Sequence, residues 1–125
     1  MRILIDTHLI LWWINDDPSL SRKAYTLIAD PSNTIFVSPV STWEIWLKKS
    51  LGRLELPDEF EAALAKEEFE HLPLTAAHTR GVAKLPWHHR DPFDRMLIAQ
   101  AQATDLTLLT ADARLGLYGS FVKTV

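Results

Sequence analysis

The 125-residue chain contains no cysteine. That excludes a disulfide framework, a thiolate metal site and a cysteine nucleophile. It also lacks any apolar run near the roughly 18 residues needed to cross a bilayer, so no membrane span is expected. An excess of one charge is missing too. Thirteen Lys and Arg stand against 16 Asp and Glu, and the net charge of −3 gives no global attraction to a polyanion. Contact with nucleic acid would have to come from a local basic patch or from metal that offsets the acids. Glycine is scarce, at four residues, and no glycine-rich phosphate loop is present; nor does an Asp-x-Asp nucleophile motif stand at the first apolar run. No linker, repeat or low-complexity stretch divides the chain. With 47% hydrophobic residues, a single domain over residues 1–125 with one packed core is expected. The chain starts directly with strand-like Met1-Arg2-Ile3-Leu4-Ile5, and the expected product is a soluble cytoplasmic protein.

What is present is a set of short apolar, β-prone runs that each lead toward a carboxylate. Ile3-Leu4-Ile5 leads into Asp6, Ile35-Phe36-Val37 toward Glu44, Leu72-Pro73-Leu74 toward Asp91 and Asp94, and Leu106-Thr107-Leu108-Leu109 into Asp112. In a parallel α/β sheet the carboxyl ends of the strands share one edge, so these acids converge although they lie far apart in sequence. Like charges in one site repel and raise each other's pKa; the arrangement makes chemical sense if it holds a hard divalent cation, magnesium or manganese, through oxygen ligands.

Strand-like and helix-like segments alternate, which argues for βα units in one parallel sheet. Helices are expected over Thr7 to Ile14, about Arg22 to Ala29 behind a Ser21 cap, Ser41 to Leu51 before Gly52, Pro57 to Glu68, Thr75 to Lys84, and Pro92 to Thr104 behind Asp91. Asp112 opens a last short helix, and Phe121-Val122 adds an edge strand. Each acid also has a structural alternative. Glu44 stands three residues after Ser41, as in a capping box; Asp91 and Asp112 suit helix N-caps, and Asp94 suits the first turn beside the helix dipole. Asp6 is harder to explain this way, because a carboxylate directly after an apolar first strand is costly without a partner or metal.

Four stretches together resemble a known family. They are Ile5-Asp6-Thr7-His8; Ser41-Thr42-Trp43-Glu44-Ile45 with Lys48 and Leu51-Gly52-Arg53-Leu54; His88-His89-Arg90-Asp91-Pro92-Phe93-Asp94-Arg95-Met96-Leu97-Ile98-Ala99-Gln100-Ala101; and Leu108-Leu109-Thr110-Ala111-Asp112. In this order and spacing they resemble PIN-domain proteins, in particular the VapC-like toxins of bacterial toxin–antitoxin pairs. The resemblance implies a three-layer α/β/α sandwich with a mainly parallel central sheet, and metal-dependent endonucleolytic cleavage of RNA. It maps the catalytic and metal-binding acids onto Asp6, Glu44, Asp94 and Asp112. It also implies a homodimer held inactive by a small VapB-like antitoxin. The match carries no motif after Tyr118.

The residues around these acids admit further roles. Arg90, Arg95, His88, His89 and Lys48 are candidates for substrate phosphate, and Thr7 and Thr110 for hydrogen bonds to the carboxylates. Trp87 is a candidate for stacking a base. The tryptophan-rich segments Leu9 to Ile14 and Trp43 to Leu47 carry more apolar surface than two short helices need to bury, which suits an antitoxin groove. Two other readings remain open here: a metal-dependent phosphatase of small phosphate esters, and a non-catalytic module that keeps the fold and binds protein.

Overall fold

The computed structural model describes residues 1–125. Five strands form one sheet: β1 (Arg2–Ile5), β2 (Thr34–Val37), β3 (Glu70–His71), β4 (Thr107–Thr110) and β5 (Val122–Thr124). The spatial order is β3-β2-β1-β4-β5, and every pairing is parallel. The α-helices are α1 (Thr7–Ile14), α2 (Arg22–Ala29), α3 (Pro39–Ser50), α4 (Phe60–Lys66), α5 (Ala76–Gly81) and α6 (Pro92–Thr104). Short 3-10 helices occupy Val82–Lys84 and Ala113–Tyr118.

The strand residues alternate faces with the period of two that a pleated strand imposes. Ile3, Ile5, Ile35, Val37 and Leu109 join one buried cluster with Leu9 and Ile10 of α1, Ala24 and Ile28 of α2, and Phe60 and Leu64 of α4. Leu4 and Leu108 join the opposite cluster with Leu97, Ile98 and Ala101 of α6 and with Leu115. The core is thus two layers separated by the sheet, rather than the one packed mass expected from composition. Helix α3 serves both, with Val40 on one side and Ile45 on the other. This is the three-layer α/β/α sandwich that the resemblance implies.

The expected spans of α1, α2 and α6 match their observed bounds. The others shift for identifiable reasons. The third apolar run, Leu72-Pro73-Leu74, is not the strand; the strand lies just before it at Glu70–His71, paired with Phe36 and Val37. Leu72 donates the last ladder bond to the Val37 carbonyl at 2.9 Å, and Pro73 has no N–H with which to continue. Helix α3 starts earlier than Ser41, because Ser38 is its N-cap, accepting from the Val40 N–H at 3.1 Å, with Pro39 at the first helical position. Ser41 therefore cannot form a capping box with Glu44. Its end is as expected: Gly52 at φ +71 closes the helix, its N–H on the Lys49 carbonyl and that of Arg53 on Lys48, which is the Schellman arrangement. Helix α4 is shorter than Pro57 to Glu68, and the Thr75 to Lys84 segment divides into α5, capped by Thr75, and a 3-10 turn. The edge strand falls one residue later than expected, at Val122–Thr124.

A buried polar chain ties the second layer together. The Ser38 hydroxyl donates to Gln100 Oε1, and Gln100 Nε2 lies 3.5 Å from His78 Nδ1. Gln100 and Ser38 are fully buried, so each polar atom depends on its partner. Gln100→Leu is expected to destabilise the fold by about 1–3 kcal/mol, the cost of an unpaired buried group, as a lower midpoint in urea unfolding.

Candidate active site

Strand β1 lies in the middle of the sheet, and the chain returns to its other side only with β4. The β1–β4 seam is therefore the point where strand order reverses, and there the outgoing loops diverge and open a crevice at the carboxyl edge. Asp6 follows β1 directly, and Thr110 ends β4 two residues before Asp112. The Thr110 hydroxyl donates to Asp6 Oδ2 across this seam, while Asp6 Oδ1 caps α1 by accepting from the Leu9 N–H at 3.0 Å. Helix α3, packed against α1 and α6, brings in Glu44, and the start of α6 brings in Asp91 and Asp94.

These residues line one cleft of about 330 Å³ with His8, Trp12, Lys48, His89, Ala111 and Arg114. All four acids anticipated from the sequence are in it. Asp91 is there too, as the N-cap of α6, accepting from the Asp94 N–H at 3.0 Å. Five carboxylates thus share a cleft with only two permanent cations, Lys48 and Arg114.

Each acid has a distinct environment. Burial pushes Asp6 above the ordinary carboxylate range, against the pull of Thr110 and the Leu9 N–H. Asp94 is pushed up to about 6 by burial first, then by the Asp91 carboxylate, with Asp6 and Glu44 adding and His89 opposing. Asp112 is held below its usual value by Arg114, which donates to it from the side chain and backbone. Glu44 is buried; its Oε2 meets Lys48 Nζ at 2.5 Å, and its Oε1 has no hydrogen-bond partner.

His89 completes the cleft. Its Nδ1 accepts from the Arg90 N–H at 2.9 Å, which places the ring proton on Nε2. That nitrogen lies 2.9 Å from Asp94 Oδ2 and 3.7 Å from Asp112 Oδ2, contacts that are electrostatic in character because Nε2 makes no well-directed hydrogen bond. One donor atom each from His89, Asp94 and Asp112 falls within 4.8 Å of the others. The donor set suits a hard divalent cation: several carboxylate oxygens on fixed backbone, and at Glu44 a buried oxygen that nothing satisfies.

The remaining candidates separate. Lys48 lines the cleft, but on Glu44. His88 stacks edge-on against Tyr118 at 5.0 Å, and Arg90 is exposed beside Trp87, both outside the acidic cleft. Arg95 is not free to meet substrate phosphate. Its guanidinium is buried and donates to the carbonyls of Pro86 at 2.9 Å, Val82 at 3.2 Å and Leu85 at 3.4 Å, and to the Tyr118 hydroxyl at 3.2 Å. Thr7 also differs from expectation, because its hydroxyl donates to Ser41 at 3.0 Å and joins α1 to α3 instead of supporting an acid. Thr110 does support one. Sequence reasoning passed over Arg114, whose only signal was its place two residues after Asp112.

The chain matches the PIN domain family over residues 3–119. A search of curated proteins finds no match. Among solved structures, the fold is similar to the VapBC2 complex of Rickettsia felis bound to a DNA fragment from its promoter, with a TM-score of 0.73 and 17% identity over 99% of this chain and 98% of that one. It is similar to DNA-bound VapBC of Salmonella typhimurium, with a TM-score of 0.69 and 16% identity over 100% and 97% of the two chains. A toxin–antitoxin complex from Klebsiella pneumoniae gives 0.65 and 20%, over 98% and 96%.

The raised Asp94 has a consequence for stability. The native state binds this proton more tightly than the unfolded chain, so the group's contribution is most favourable below about pH 4 and is lost as pH rises through about 6. The loss is at most about 3 kcal/mol. Asp94→Asn should therefore unfold at higher urea than wild type at pH 7.5 in chelator and show a shallower decline between pH 4 and 7. Identical pH profiles would overturn this electrostatic assignment. With its matched motifs, parallel sheet and acid-lined switch point, the chain belongs to the PIN domain family.

Proposed function

We propose that the protein is a magnesium- or manganese-dependent endoribonuclease, acting as the toxin of a toxin–antitoxin pair. The observation that carries the reading is the buried Glu44 Oε1 without a partner, in a cleft that also holds Asp6, Asp94 and Asp112. Five acids in one small cleft are a standing electrostatic cost, and a site of hard oxygen donors meets it by taking up a divalent cation. When bound, such a cation supplies a water of lowered pKa and offsets charge on the phosphate during in-line attack.

The chain's own residues divide the remaining work. Asp6 is held by α1 and Thr110, so its carboxylate is pre-oriented. Asp94 and His89, 2.9 Å apart in the cleft, are the residues that would exchange a proton with the attacking water or the departing oxygen. Lys48 and Arg114 balance the acids in the free protein and can turn to substrate phosphate once the acids have a cation to hold. The small-ester phosphatase reading has less support, because the chain has no glycine-rich phosphate loop.

Fold and surface together support a protein partner. The similar Klebsiella pneumoniae structure is a toxin–antitoxin complex, and α3 here exposes Trp43 at 61% and Trp46 at 40%, with Leu47 beside them. We assign that face to a small antitoxin and the protein itself to a homodimer. Trp12 belongs to the same region but packs against the core and lines the cleft, so Trp46 is the cleaner probe.

Two experiments test the reading. Purified protein with Mn2+ should cut RNA endonucleolytically; Asp6→Asn or Asp94→Asn should lower the rate at least about 100-fold while the fold survives. Mn2+ should raise the melting temperature of wild type but not of these variants. Full cleavage in excess chelator would sink the mechanism. Separately, Trp46→Lys should weaken inhibition by the adjacently encoded small protein about 10-fold or more, as expected for a buried aromatic anchor; unchanged inhibition would move the partner to another face.

A further inference from the structure

The loop between Lys84 and α6 presents Trp87, at 75% exposure the most open large apolar side chain of the protein. Such a residue on a floppy loop would carry no argument, but this loop is clamped. The buried Arg95 guanidinium holds the carbonyls of Leu85 and Pro86 and the Tyr118 hydroxyl, and its Cζ lies 3.8 Å from the Trp87 ring centroid. One face of the indole is therefore seated on a fixed cation and the other faces solvent. A flat aromatic surface held in advance loses little freedom when a second ring stacks on it.

Two neighbours identify the ligand's chemistry. Arg90 lines a shallow cleft with Trp87, so a π-surface and an exposed guanidinium stand side by side, as a base and its phosphate require. His89 lies two residues from Trp87 and reaches into the acidic cleft, which limits the backbone distance between the two places to about 7 Å. A base on Trp87 and a phosphate at the acids can then belong to neighbouring nucleotides of one strand.

We propose that Trp87 and Arg90 form a nucleotide subsite of the ribonuclease: the indole stacks one unpaired base next to the scissile phosphate, and Arg90 meets the adjoining phosphate. The subsite selects single-stranded over paired RNA, because only an unstacked base can lie on the ring. Arg95 is the positioning residue beneath it.

The inference rests on the ribonuclease reading, and the test separates the two. A cleavage site is mapped in total RNA, and an oligonucleotide of that sequence is assayed with Mn2+ by wild type, Trp87→Phe and Trp87→Ala. Trp87→Ala should lower kcat/KM by about 5- to 100-fold, the loss of one stacked base, and Trp87→Phe should stay within about 3-fold of wild type. Wild type acting on oligonucleotides made abasic beside the scissile bond should show the same loss at one position. At that position Trp87→Ala should add nothing further, since the partner of the ring is already gone. The abasic series decides the matter even if Trp87→Ala fails to fold. Cleavage by wild type that is indifferent to every abasic position overturns the subsite and leaves the ribonuclease reading intact. No cleavage of any RNA by wild type removes both. A Trp87→Ala variant with unchanged cleavage but impaired antitoxin binding overturns the subsite in favour of a protein contact.

Discussion

Placing the Asp6 carboxylate at the buried end of the central strand is the constraint around which the rest of the molecule is arranged. An ionised group there loses most of its hydration, and its raised pKa records that cost. The fold supplies partial compensation from two directions. The first turn of α1 gives a backbone N–H, and β4 gives the Thr110 hydroxyl. Both are consequences of the seam between β1 and β4, so the feature that makes the crevice also makes the carboxylate tolerable. Thr110 goes further, since its oxygen accepts from the Asp112 N–H at 3.0 Å and thereby fixes the next acid. Compensation stops short of neutrality. Glu44 keeps an unsatisfied oxygen and Asp94 a raised pKa. Apolar residues at these positions would carry no such cost; the fold bears it where the acids share one cleft.

The acids are not left facing one another. Lys48 takes Glu44, His89 takes Asp94, and Arg114 takes Asp112 with two parallel hydrogen bonds. These pairings are unequal. Lys48 and Arg114 reach solvent, so their ion pairs are screened and readily exchanged. His89 is held through Nδ1 by the Arg90 N–H and through its carbonyl by the Arg95 guanidinium. The cleft therefore combines labile counter-ions on its rim with one fixed imidazole inside. That arrangement keeps the unliganded protein folded without committing the carboxylates.

Much of this was legible in the sequence because it is local. The caps at Ser21, Asp91 and Asp112 act within three residues, and the stripes of α1, α2 and α6 repeat at helical spacing; the cap that Asp6 makes on α1 is as local but was not anticipated. Glycine at 52 closes α3 for a reason confined to its own backbone. The convergence of the four acids was also recoverable, because parallel strands leave no other edge for them to share. What escaped detection depended on distant partners or on competition between neighbours. Ser38 and Ser41 are equally good caps by residue type; Pro39, acceptable only at the first turn, decides between them. Nothing local distinguishes Arg95 from Arg90. One is buried beneath a loop whose carbonyls it satisfies, and the other is exposed, a difference that appears only when Tyr118 and the loop close around α6. Arg114 reads as an ordinary surface charge until Asp112 is seen to face it.

The three most exposed tryptophans follow the same logic at the level of surfaces. Trp43 packs edge-on against Phe93 at 4.9 Å, and Trp46 against Phe60 at 6.3 Å, so α3 presents aromatic rings that are anchored yet open. Trp87 is anchored differently, by a cation, on the loop that enters α6. Phe93 lies in the first turn of α6, one residue before Asp94, and Glu44 follows Trp43 on α3. The Trp43 end of the apolar face therefore rests on the same two helices that position the acids, while its Trp46 end rests on α4. Consecutive side chains on a helix point about 100° apart, so Trp43 is exposed while Glu44 beside it is buried in the cleft. The aromatic face and the acid-lined cleft are thus two sides of the same helices, and a shift of α3 moves both.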